Sequence, residues 1–152
     1  MNYPTIVELR QSVAAPATEV WDAVVDWPSQ GEWMLGTTVE VIYGDGHSVG
    51  SRLSAYSGPK PVGFLDTMTI TEWDPPRRCV VEHTGKVVRG RGIFAVEPDG
   101  PRRSLFLWRE ELDLPLGRVG ALGWPLVRPA FRAGVRYSLH RFAAHCESRD
   151  GG

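Results

Sequence analysis

From Leu126 to Cys146, apolar side chains recur at Val127, Ala130, Phe131, Val135, Leu139, Phe142, Ala143 and Cys146. Steps of three and four residues place them on one side of a helix. The other side carries Arg128, Arg132 and Arg136 at intervals of four, a row suited to water or, alternatively, to an anionic group or membrane surface. About twenty residues at 1.5 Å each make a rod of roughly 30 Å. Such a rod, apolar along one stripe, needs a broad apolar surface to lie on. Pro125 and Pro129 read as first-turn residues, where proline is tolerated. Gly134 sits on or beside the stripe, and it either permits close backbone packing or leaves a space.

The residues before the rod read mostly as strands. Ile6 to Val13 alternates, with Val7, Leu9, Gln11 and Val13 on one face. Pro16 opens a short helix carrying Val20, Trp21, Val24 and Val25, which Trp27-Pro28 should end. Ser29 to Met34 makes one more turn, carrying Trp33. Six strands follow, near Thr38–Tyr43, Gly50–Tyr56, Phe64–Trp73, Arg78–His83, Val87–Val96 and Ser104–Leu112. Their breaks are Gly44-Asp45-Gly46, Gly58-Pro59-Lys60-Pro61, Asp74-Pro75-Pro76, Thr84-Gly85-Lys86 and Pro98-Asp99-Gly100-Pro101. Strands joined by short turns, with no helical crossover, should pair as an antiparallel meander. The class is α+β, and the sheet is the surface the rod requires.

At 152 residues with net charge −1, the chain is read as one soluble domain over residues 1–147 with a frayed tail at 148–152. The balanced charge gives no general attraction to nucleic acid. No apolar run is long enough to span a bilayer, so no stable membrane insertion is expected. The start Met-Asn-Tyr-Pro lacks a secretory pattern, and Cys79 and Cys146 make no disulfide framework, so a reducing cytoplasm is the expected location. The oligomeric state is left open.

Several segments carry a resemblance. Val13-Ala14-Ala15-Pro16-Ala17-Thr18-Glu19-Val20-Trp21, Asp26-Trp27-Pro28 with Trp33, Val49-Gly50, Glu72-Trp73-Asp74-Pro75-Pro76-Arg77 and Trp108-Arg109-Glu110 resemble the START-like (SRPBCC) superfamily, which includes polyketide cyclases and Bet v 1-like and lipid-transfer proteins. The resemblance implies a helix-grip fold: a seven-stranded antiparallel sheet wrapped around the long C-terminal helix, two short helices after the first strand, and an apolar cavity between sheet and helix. Strand alternation then puts Gln11, Met68, Ile70, Val81, Phe94, Phe106 and Trp108 on the cavity side, opposite Phe131, Val135 and Leu139. Trp33 joins them as a ligand-binding candidate.

His83 and Glu110 fall on the same inner faces and are the candidate acid–base residues, since a buried carboxylate or a neutral histidine can accept a proton. The plainer alternative is a structural carboxylate paired with an arginine such as Arg109 or Arg52, or exposure through a slip of register. His140 and His145, five residues apart, make a poor metal pair, and Gly117, Gly120 and Gly123 lack the context of a dinucleotide site. No metal or cofactor is expected. The glycine-rich segment Leu114–Trp124 reads as a loop at the cavity entrance. Three functions follow: binding of a small hydrophobic, lipid-like or aromatic ligand; polyketide cyclase, aromatase or dehydratase chemistry through Glu110 or His83; or a protein-interaction module using the sheet face or the Leu114–Trp124 loop.

Overall fold

The computed structural model describes residues 5–59, 61–86, 88–113 and 117–150, with backbone alone for 117–122 and 149–150. The strands are β1 (Thr5–Val13), β2 (Thr37–Tyr43), β3 (Arg52–Ser57), β4 (Phe64–Asp74), β5 (Arg78–Thr84), β6 (Arg89–Pro98) and β7 (Ser104–Asp113). They form one antiparallel sheet in the order β1-β7-β6-β5-β4-β3-β2. Between β1 and β2 lie α1 (Ala17–Val24) and a 3-10 helix over Trp27–Glu32, and α2 (Gly117–Asp150) closes the chain. This is the helix-grip architecture.

β2 to β7 pair in sequence through short turns, and β1 closes onto β7 from Thr5 opposite Leu112 to Val13 opposite Ser104. The register shifts between Val41 and Tyr43 in β2 and between Ile70 and Glu72 in β4, as an extra residue in a ladder causes. Period-two alternation holds along the central strands. In β7, Phe106, Trp108 and Glu110 are buried on the inner face. Arg109, between them, donates instead to Glu111 (2.7 Å) and to Glu8 of β1 (3.0 Å).

Part of the core lies beneath the C-terminal half of α2. Val135, Leu139, Phe142, Ala143 and Cys146 are buried there. Phe142 meets Trp33 at a centroid distance of 4.7 Å and Phe106 at 4.9 Å, edge-on or tilted as aromatic quadrupoles prefer. The first half of α2 is different: Leu126 is 85% exposed and Val127 56%, while Trp124 and Phe131 are only partly buried against the core.

Two local expectations are corrected. Trp27-Pro28 opens the 3-10 helix, with proline at its start, where it needs no N–H partner. The segment from Gly117 is helical, so Pro125 and Pro129 lie inside α2 and not in its first turns. The side chain of Leu122 and the residues Leu114 to Leu116 of the expected entrance loop fall outside the described residues. At the other end, α2 continues through Ser148 to Asp150.

Candidate functional site

A cavity of about 400 Å³ lies between the inner face of the sheet and the middle of α2, within the size range of small-molecule sites. It exists because of what α2 presents. Ala130, Gly134 and Ser138 recur every four residues on the side lining it, and none carries bulk. A Cβ added to Gly134 would meet nothing within 4 Å, so this glycine leaves space. Ser138 also fixes the helix against the chain entering β2: its hydroxyl accepts from Leu35 N at 2.9 Å and donates to Gly134 O at 3.0 Å.

The walls are apolar, chiefly Met68, Phe94, Trp108, Phe131 and Val135, with Leu35 and Phe64, 55% and 43% exposed, where the cavity meets the surface. Into it project three joined titratable side chains. His83 Nδ1 lies 3.0 Å from Asp66 Oδ1 and His83 Nε2 2.7 Å from Glu110 Oε2. Their side chains are 4%, 13% and 10% exposed for His83, Asp66 and Glu110.

The contact between His83 and Glu110 crosses a strand, since His83 is on β5 and Glu110 on β7. Two strand spacings separate their backbones by roughly 9–10 Å. The residues of β6 between them are glycines: Gly90 opposite His83 and Gly92 opposite Glu110. A Cβ on Gly92 would sit 3.0 Å from Glu110 Oε1 and 3.2 Å from Val81 Cγ2. Gly90 has φ +124°, and a Cβ there would fall 2.0 Å from Glu111 O. Gly92 therefore clears the floor across which the imidazole and carboxylate meet, while Gly90 lets β6 lie close against the β7 backbone.

Electrostatics follow from this enclosure. Burial alone would lower the His83 imidazole, but its hydrogen bonds to Asp66 and Glu110 outweigh that and hold it up at about 10. His83 is then an imidazolium that donates from both nitrogens. Burial raises the Glu110 carboxyl above its ordinary value, while the hydrogen bond from His83 pulls it back. Such a pair can move a proton between Nε2 and Oε2 with little rearrangement. Glu110 Oε1 makes no hydrogen bond among the described residues, and it is the oxygen left for a guest.

Of the sequence-derived candidates, Met68, His83, Phe94, Trp108, Glu110, Phe131 and Val135 line the cavity. The structure does not place the others there. Ile70, Val81, Phe106 and Leu139 are buried in the core, and Trp33 is packed under Phe142. Gln11 is half-buried, its amide donating to Ser12 O. Neither proposed arginine partner of Glu110 is used: Arg109 serves Glu111 and Glu8, and Arg52 is exposed. Sequence reasoning missed Asp66, though β4 alternation from Met68 and Ile70 already puts it inward. It also missed Gln30 and Trp27, whose 3-10 helix brings them to the wall. Among the described residues no group of histidine, cysteine or acidic side chains is arranged to hold a metal ion, and no helix is long and apolar enough to cross a membrane.

Comparison with solved structures confirms the architecture. A protein from Thermus thermophilus superposes with a TM-score of 0.80 at 16% identity, over 95% of this chain and 99% of that one. The Zhui aromatase/cyclase from a Streptomyces species, strain R1128, gives 0.78 at 16%, over 95% and 94%. Norcoclaurine synthase from Thalictrum flavum, in complex with dopamine and hydroxybenzaldehyde, gives 0.65 at 18%, over 93% and 87%. At these identities the likeness is one of fold. No curated protein sequence matches the chain. The family described as polyketide cyclase / dehydrase and lipid transport matches residues 4–147, and by that match the chain belongs to it, within the START-like superfamily its motifs resemble.

Proposed function

We propose that this chain binds a small, predominantly apolar molecule, lipid-like or aromatic, in the cavity between the sheet and α2. The observation that carries this reading is the cavity itself: apolar walls with polar chemistry gathered at Asp66, His83 and Glu110, the usual division between affinity and orientation in small-molecule sites. The norcoclaurine synthase complex, in which a protein of this fold is described with two small aromatic molecules, supports it. Two cysteines in 152 residues make no disulfide framework, which suits a reducing compartment such as the cytoplasm.

Native mass spectrometry of protein purified from its own host tests the reading. The wild type should carry a small molecule released on denaturation, and Gly134→Leu, which projects a side chain into the space, should not. An empty wild type, or equal occupancy in both, contradicts it.

A second reading is favoured by the Asp66–His83–Glu110 relay: cofactor-independent cyclisation or dehydration of a polyketide-like substrate. Glu110 would withdraw a proton from carbon beside a carbonyl, His83 would return it to a departing or forming hydroxyl, and Asp66 would hold the imidazole in place. Turnover of an identified substrate that survived both Glu110→Gln and His83→Ala would end this reading.

A further inference from the structure

The cavity's charge is one-sided. Among its described lining residues the titratable groups are Asp66, His83 and Glu110, two acids and one base, with no lysine or arginine. One imidazolium cannot neutralise two carboxylates. Elsewhere the lining offers neutral polar groups only, from Gln30, Thr37, Ser57 and Ser138. An anionic guest would therefore enter an apolar space beside two carboxylates and meet no compensating arginine or lysine among the described lining residues, an arrangement that disfavours an unpaired buried ion.

The free acceptor is placed for a donor. Glu110 Oε2 is taken by His83 at 2.7 Å, whereas Oε1 has no hydrogen bond among the described residues. Oε1 is not sealed behind side chains either, because its neighbour on β6 is Gly92, whose missing Cβ would lie 3.0 Å away. Trp108, two residues earlier on the same face of β7, and Phe131 across from it on α2, 6.1 Å apart between centroids, supply aromatic surface of the kind that also attracts cations.

We propose, resting on the ligand-binding reading above, that the cavity's ligand is an apolar or aromatic molecule carrying a cationic nitrogen, an amine or iminium, which donates to Glu110 Oε1. Burial makes the Glu110 charge costly even beside His83, and a cation seated against Oε1 offsets that cost further. Fatty acids, phosphates and other anions are the class this cavity rejects.

The test uses three probes of matched body: 4-phenylbutylamine, 4-phenylbutanol and 4-phenylbutyrate, titrated into the full chain at pH 7 by calorimetry or NMR. The amine should bind at least ~10-fold tighter than the alcohol, since a hydrogen bond to a charged group is worth about that much or more, and the carboxylate should bind weakest. Glu110→Gln should collapse the amine-to-alcohol ratio to within about threefold, the remainder of that bond once its charge is gone. Asp66→Asn should also narrow it, and serves if the first variant folds poorly. Gly134→Leu should weaken all probes together. Alcohol or carboxylate binding as tightly as the amine, or a ratio unmoved in both charge variants, overturns the inference and leaves the cavity reading intact. Failure of all three probes to bind the wild type overturns both.

Discussion

Replacing Glu110 by glutamine removes one of the two carboxylates that hold the His83 proton while preserving shape, and the structure sets the size of the effect. The bond being lost is 2.7 Å long, and the Glu110 side chain is only 10% exposed. A hydrogen bond between charged groups in such a site is worth about 1.5–3 kcal/mol. At roughly 1.4 kcal/mol per pH unit, His83 should fall from about 10 by about one to two pH units. It should stay above the ordinary 6.5, because Asp66 still accepts from Nδ1 at 3.0 Å. The direction in stability follows. His83 is raised on folding, so its contribution is whole below pH 6.5 and disappears as pH climbs toward about 10. Glu110 is raised as well, so its ionisation above the ordinary 4.5 also weakens the fold as pH rises. The wild type should therefore lose stability from neutral to alkaline pH, and Glu110→Gln should move the His83 part of that loss to lower pH. Side-chain ¹⁵N titration of His83, with chemical denaturation from pH 6 to 10, reads both quantities. A wild-type His83 titrating near 6.5, or one unmoved by Glu110→Gln, refutes the reasoning.

Other consequences are simpler to measure. Gly92→Ala sets a methyl 3.0 Å from Glu110 Oε1 and should cost about 1–3 kcal/mol by overpacking, while loosening the His83–Glu110 contact so that His83 titrates lower. Phe142→Ala empties the junction beneath Trp33 and Phe106 and should cost about 3–5 kcal/mol in denaturant unfolding. Cys79, buried and pushed up to about 12, should react with a thiol reagent only as fast as the chain opens, so its modification should track global unfolding.

Where patterns are periodic, the sequence is readable. The strands of the meander appear close to their expected bounds because period-two alternation and proline- or glycine-rich turns agree. Alternation also puts His83, Trp108 and Glu110 on the buried faces they occupy. Three features escape such reading for different reasons. The glycines around Gly117 and Gly123 argue locally for a loop, and the helix there overrides that preference. The His83–Glu110 contact depends on what a third strand lacks, and Gly92 gives no positive signal to a reader looking for side chains. Finally, alternation assigns a face but not a depth: Phe106 and Trp108 share an inner face, yet Phe106 is packed beneath Phe142 while Trp108 borders open space. Only the helix opposite decides which is which, large at Phe142 and small at Gly134.

The hollow between sheet and helix can be probed without knowing the ligand, by diffusing xenon into crystals of the protein, since this gas settles in apolar space that water leaves. The account predicts a xenon peak bounded by Met68, Phe94, Trp108, Phe131 and Gly134, absent from Gly134→Leu. A cavity closed by side chains in the wild type, or a peak unaffected by that substitution, would contradict it.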